Sequence, residues 1–324
     1  MDLLFLGTSS GTPTRSRNVS GLALTEETGK RWYLVDCGEA TQHQLLRTPL
    51  SLHDLSAIFI THVHGDHCYG LPGLLASAGM SGRREPLEIM APQGIKQWVD
   101  ATLTMSRTHL PFDLVFHATE QLGEWRNSNL RAQAIELSHR VPSYGYCFTE
   151  ARPDPRLDVE KLDREGVPRG HLWGRLARGH DVEFEGRALR SDDFLIFNRK
   201  PRRIVVGGDN DTPELLNEVA RSAQVLVHEA TYTQEIAERG KADFGHSTAC
   251  AVASFAESIS VPNLVLTHFS ARYQANPERS PSIADIHTEA SGVYSGRLFL
   301  AEDFARYRLG RDGCLERYRE PARG

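Results

Sequence analysis

The stretch Ala57-Ile58-Phe59-Ile60-Thr61-His62-Val63-His64-Gly65-Asp66-His67 constrains this chain more than any other. An apolar run of strand character delivers the backbone into three histidines and one aspartate. In an extended segment alternate side chains share a side, so His62 and His64 converge on one ion. Gly65 predicts a sharp backbone turn that sends Asp66 and His67 toward a neighbouring position. Residues 70–77 read as a helix that starts beside this cluster. Ligand-type residues at such density predict two metal half-sites on one loop rather than a solvated turn.

Such half-sites need further ligands, and three later stretches offer them. His139 follows the strand-like residues 130–136, Asp209 ends the apolar run and glycines of 203–208, and His268 follows 263–267. Each candidate lies at the C-terminal end of a short apolar run, where open α/β sheets place their sites. Five histidines and two aspartates exceed the three protein ligands usual for one catalytic zinc, but they suit two ions sharing a bridging carboxylate. Imidazole and carboxylate suit Zn²⁺, and Mn²⁺ would also accept this donor set.

The rest of the pattern is that of an α/β enzyme. Residues 1–7 read as a strand rather than a signal peptide, because the apolar run is short and lacks a basic leader. Residues 20–24 and 31–36 form an expected antiparallel pair, with a helix beginning at 40–46. Strands are expected at 87–92, 114–118, 133–137, 225–229 and 298–301. Helices are expected at 95–104, 213–220, 247–258 and 282–290. Residues 7–13 form a glycine-rich turn of the kind that can cradle an anion. The length of 324 residues suits one large α/β domain, and no run of eighteen apolar residues predicts a membrane span. Cys37, Cys68, Cys147, Cys250 and Cys314 are scattered and odd in number, which points to a reducing compartment. Cys68 reads as a packing residue despite following His67.

Charge singles out one more segment. The formal charge of −5 argues against nucleic-acid binding by bulk charge, yet residues 152–202 carry a local positive excess. Their centre is glycine-rich with little core-forming pattern, and Arg164, Arg169, Arg175 and Arg178 surround it. Ser270, Arg272 and Tyr273, directly after His268, are candidates for contacting phosphate.

The His-x-His-x-Asp-His run with a distant His, Asp and His resembles the metal signature of the metallo-β-lactamase superfamily. The chain is more closely similar to one branch, the short form of ribonuclease Z (tRNase Z). Residues carrying that resemblance include Phe5-Leu6-Gly7-Thr8, Asp36-Cys37-Gly38-Glu39, Gly70-Leu71-Pro72-Gly73-Leu74, His228-Glu229-Ala230-Thr231, His246-Ser247-Thr248 and Thr267-His268-Phe269-Ser270. The resemblance implies a four-layered αββα sandwich over residues 1–324, with a protruding Gly/Pro-rich arm at about 152–202 that grips the tRNA body. It implies two Zn²⁺ per chain: one held by His62, His64 and His139, the other by Asp66, His67 and His268, with Asp209 on both. It implies an endoribonuclease that cuts the 3′ trailer from precursor tRNA through a metal-bridging hydroxide, leaving a tRNA 3′-hydroxyl. In that scheme His246 is the general acid, Glu229 orients it, Asp66 accepts a proton, and Asp36 supports the site. A homodimer is expected on the same ground, and a cytoplasmic setting from the scattered cysteines.

Two departures from the family pattern stand out: Asn210 occurs where threonine is usual, and His171 where a second proline is usual in the arm. Two rival readings remain on residues alone. One is a binuclear phosphodiesterase of the same fold acting on small diesters. The other is a catalytically silent RNA-binding scaffold that kept the fold.

Overall fold

Strands of this chain sort their side chains between two faces with a period of two, and that sorting builds the layers. In the computed structural model, which describes residues 1–27, 29–151, 153, 155–196, 200–240 and 245–318, Leu3 and Phe5 of strand Asp2–Gly7 enter one core while Leu4 and Leu6 enter another. Strand Leu55–Phe59 repeats the division: Ala57 and Phe59 face one way, Ile58 the other. Strands buried on both faces read as near-continuous apolar runs, which is why the runs ahead of the ligands were so visible.

Two sheets result. The first has eight strands, in the order Leu315–Tyr318, Arg306–Leu309, Asp2–Gly7, Gly21–Thr25, Trp32–Val35, Leu55–Phe59, Leu87–Ala91 and Leu114–Ala118. The second has seven: Arg297–Leu300, Asn263–Thr267, Val225–Glu229, Arg203–Val206, Ser143–Glu150, Leu130–Leu137 and Trp125–Arg126. Between them lies a core in which Phe59 meets Trp125, Tyr146 and Phe148 edge-on, with ring centroids 5.3, 5.1 and 4.9 Å away. Helices Leu71–Met80 and Gln93–Met105 cover the outer face of the first sheet through Leu74, Leu75, Ile95 and Val99. Helices Ala249–Ser258 and Ile283–Ser291 cover the second through Val252, Phe255, Ile286 and Ala290. This is the four-layered αββα sandwich.

The structure corrects several local expectations. Residues 213–220 form a 3₁₀ turn, Pro213–Leu216, followed by a single helical turn, Asn217–Ala220, instead of one helix. Strand Ser143–Glu150 and the hairpin Arg306–Leu309 with Leu315–Tyr318 were not anticipated. Segment 152–202, whose centre shows little core-forming pattern, has a small core: Leu162, Val167, Leu176, Val182, Leu189 and Phe194 are buried together. It holds helices Val159–Arg164 and His171–Ala177 and two short strand pairs; positions 152, 154 and 197–199 of the expected arm lie outside the described residues. No helix among the described residues is long and apolar enough to cross a membrane.

Candidate metal centre

The ligand-bearing loops gather at the C-terminal ends of strands from both sheets. Strand Leu55–Phe59 leads to His62 and His64, Leu130–Leu137 to His139, Arg203–Val206 to Asp209, and Asn263–Thr267 to His268. Two backbone approaches hold the first loop in place. A Cβ on Gly38 would lie 2.3 Å from Asp66 O, and one on Gly70 would lie 2.0 Å from Gly38 O. The glycines therefore let segment 36–39 press against 65–70, joined by Cys37 N→His67 O (2.8 Å) and Gly70 N→Cys37 O (2.9 Å). The chain turns at Gly65 as expected, though without a positive φ. His64 is extended (φ −64°, ψ 148°), Gly65 opens the short helix Gly65–Cys68, and the ring of Tyr69 packs where a Gly65 side chain would be.

Two clusters meet at Asp209: His62, His64, His139 and Asp209 form the first, and Asp66, His67 and His268 form the second, with Asp209 against its two rings. In the first, His62 Nε2 is 3.0 Å from His64 Nδ1, which is 3.2 Å from His139 Nε2; Asp209 Oδ2 lies 3.5 Å from His62 Nε2 and 3.8 Å from His139 Nε2. In the second, His67 Nε2 is 3.1 Å from His268 Nε2 and 3.5 Å from Asp66 Oδ2, with Asp209 Oδ1 3.4 Å from both rings. Donors about 2.0–2.1 Å from a tetrahedral ion stand about 3.3 Å apart, so both cages have the spacing of a Zn²⁺ coordination shell. Ring nitrogens facing one another have lone pairs to share and no common donor, which suits a cation at each centre. The residues present therefore fit two metal ions.

In four of the five cage imidazoles the ring nitrogen turned away from the cage has a partner that fixes the ring's orientation. His67 Nδ1 donates to Asp36 Oδ2 (2.7 Å), and His139 Nδ1 donates to Gly245 O (2.6 Å). Thr61 Oγ1 lies 3.0 Å from His62 Nδ1 and also donates to Asp36 Oδ2. Thr231 Oγ1 lies 2.9 Å from His268 Nδ1 and donates to Glu229 Oε2 at 2.6 Å. Thr61 and Thr231 are the site residues that sequence reasoning left without a role: a threonine is too common for its type to signal one. From the glycine-rich turn 7–13, Gly11 N donates to Asp66 Oδ2 at 2.7 Å.

Electrostatics hold the carboxylates ionised. Burial pushes Asp209 up, yet the imidazoles of His268, His67 and His62 around it outweigh burial and keep it well below the usual carboxylate range. Asp66 behaves alike, with burial overcome by the His67 charge and the His268 hydrogen bond. His246 sits beside the cages at 3.7 Å from Asp209 Oδ2, and its Nδ1 donates to Glu229 Oε1 at 3.0 Å. Burial alone would lower the His246 pKa, but the Glu229 charge and that hydrogen bond lift it to about 9. Glu229 is buried and pinned by the amides of Asn210, Ser247 and Thr231. Asn210 also accepts from Ser138 N and lies 3.2 Å from His228 Nε2.

The candidate RNA contacts divide. Arg272 is exposed, its guanidinium over the Tyr232 ring, and donates to Ser270 Oγ at 3.1 Å. Tyr273 is only 2% exposed and its hydroxyl accepts from Thr233 N at 2.6 Å, so it anchors the loop and offers no surface to RNA. Arg164, Arg169, Arg175 and Arg178 are all exposed on segment 152–202, which lies in the chain between His139 and Asp209. Cys68 is buried beside Val63 O and joins neither cage.

The curated relatives of the chain include ribonucleases Z. A family model described as "Anti-Pycsar protein Apyc1" matches residues 1–151. The chain is 61% identical over 316 residues to the ribonuclease Z of Pseudomonas putida strain GB-1, covering 98% of this chain and 99% of that protein. It is 52% identical over 319 residues to the ribonuclease Z of Marinobacter nauticus, again covering 98% and 99%. The crystal structure of the short form of human tRNase Z superposes with a TM-score of 0.66 at 27% identity, covering 96% of this chain and 100% of that one. The metallo-β-lactamase fold protein YhfI of Bacillus subtilis superposes with a TM-score of 0.65 at 16% identity, covering 94% and 98%, and attests the fold alone.

Proposed function

The chain belongs to the ribonuclease Z family, and on that premise we propose that it is a metal-dependent endoribonuclease that removes the 3′ trailer from precursor tRNA. The observation that carries this reading is the pair of cages divided by the two oxygens of Asp209, with the His246–Glu229 pair at their side. Two divalent ions, Zn²⁺ by the donor set, would when bound activate water and offset charge on the phosphoryl oxygens. The chain supplies the remaining parts. Asp66, whose Oδ2 accepts from the Gly11 amide, would orient the attacking water and take its proton. His246 spends Nδ1 on Glu229, which leaves Nε2 to protonate the departing ribose 3′-oxygen. The products are a tRNA ending in a 3′-hydroxyl and a trailer starting with a 5′-phosphate.

Exposed arginines of segment 152–202 and Arg272 are the groups we assign to the RNA backbone, since guanidinium suits phosphate. A homodimer and a cytoplasmic setting complete the proposal; the free thiols Cys37, Cys68, Cys147, Cys250 and Cys314 fit a reducing compartment. The test is incubation of the metal-loaded protein with end-labelled precursor tRNA, beside bis(p-nitrophenyl) phosphate. A single cut at the 3′ border of the tRNA body is expected. Hydrolysis of the chromogenic diester with no cut in the RNA would instead favour a small-diester phosphodiesterase.

A further inference from the structure

The chain leaves the second sheet at Glu150, the last residue of strand Ser143–Glu150, and returns to it at Arg203, the first residue of Arg203–Val206. Arg156–Leu157 pairs with Leu195–Ile196 to close the neck of the excursion, and the segment beyond carries its own core. The two residues at the root grip each other. Arg202 N donates to Glu150 Oε2 (2.8 Å), Arg202 Nε and Nη2 donate to Glu150 Oε1 (2.9 and 2.5 Å), and Glu150 N donates to Arg202 O (3.0 Å). Arg202 then reaches the body twice more. Its Nη1 donates to Leu309 O at 3.0 Å in the C-terminal hairpin, and its Nη2 lies 2.7 Å from Glu27 Oε2 in the turn after Gly21–Thr25. The side chains of Arg202 and Glu150 are 4% and 10% exposed.

A buried ion pair is a poor source of net stability, because desolvation offsets much of the attraction. What a multiply bonded, planar guanidinium does supply is a fixed direction. Here that direction matters at long range. Tyr144, near the start of strand Ser143–Glu150, touches the metal loop through Tyr144 N→Thr61 O (3.0 Å), so the root lies about 20 Å further along the strand at 3.4 Å per residue. A segment with its own core, leaving the body that far from the cages, can meet an extended substrate correctly only if its exit angle is set. We propose that Arg202, locked to Glu150, Glu27 and Leu309, is a positioning residue that sets the direction of segment 156–196 for binding a long polyanion, the precursor tRNA. This inference rests on the reading of that segment as the RNA-holding arm.

The test compares Arg202→Lys, Arg202→Met and the double variant Glu150→Gln/Arg202→Met with the wild type. A further protein has residues 156–196 replaced by a short turn. The double variant is needed because Arg202→Met alone strands a buried charge. KM and kcat for precursor tRNA, hydrolysis of bis(p-nitrophenyl) phosphate and metal content are read on each preparation. Expected is a rise in KM of about tenfold or more, with kcat, chromogenic hydrolysis and metal content retained, since only binding geometry is lost. Arg202→Lys should raise KM too, because it keeps the charge and loses the fork. An unchanged KM in the double variant overturns the inference. So does an equal loss of both activities, which would make the pair a support of the fold. If the arm-shortened protein also binds precursor tRNA normally, the arm reading itself fails. If it binds poorly while the Arg202 variants bind well, only the positioning role is lost.

Discussion

Each cage imidazole of this protein gives one nitrogen to the centre, and four of the five have the other held by Asp36, Thr61, Gly245 or Thr231. His246 differs, because its Nδ1 is committed to Glu229. His246→Ala should therefore lower kcat by about 10²–10⁴-fold, the usual contribution of a general acid, while elemental analysis finds the metal still bound. Metal lost together with activity would make His246 a ligand. The pH profile gives a second check. Protonated His246 is the active form, so activity falls as pH rises through its pKa, which the Glu229 charge holds up near 9. Glu229→Gln removes that charge, and the alkaline limb of kcat should move to lower pH; a limb that stays in place contradicts the pairing. At this scale the metal ligands were legible from sequence because histidines and aspartates were packed into one loop and placed at strand ends. Thr61 and Thr231 were not, since their roles depend on which rings the fold brings beside them.

At the scale of elements, the site depends on two loops pressed together through Gly38 and Gly70. Gly38→Ala would drive a methyl group to 2.3 Å from Asp66 O and 2.5 Å from Val19 Cγ2, so segment 65–70 must shift. We expect faster loss of metal from the Asp66–His67–His268 cage in a chelator competition, with the first cage less affected; identical release kinetics for variant and wild type would show that the loop absorbs the methyl group. The central strands announced themselves through apolar runs buried on both faces. Residues 213–220 did not reveal that they break into a 3₁₀ turn and a helical turn, because both satisfy the same amphipathic spacing. Strand Ser143–Glu150 is buried along its whole length yet rich in Tyr, Gly and Ser, and the small-residue content hid it. Tyr273 looked available because it follows a ligand; its burial is set by the contact with Thr233, forty positions earlier in the chain.

For the whole molecule, the sandwich carries the cages at the C-terminal ends of its strands, and the segment between Glu150 and Arg203 holds a small core of its own. Its small core was missed because six buried apolar residues are spread among many charges and glycines. Replacing 156–196 by a short turn should cut precursor-tRNA processing by at least about tenfold and flatten the salt dependence of binding, since phosphate contacts are lost. Hydrolysis of a small diester should persist, as no cage residue lies in that segment. The central claim, that two ions joined by Asp209 serve one RNA-cutting site, is tested most directly by titrating metal-free protein with Zn²⁺ while following precursor-tRNA cleavage. The account predicts no cleavage without metal and a plateau at two equivalents per chain; a plateau at one equivalent, or cleavage by the metal-free protein, would contradict it.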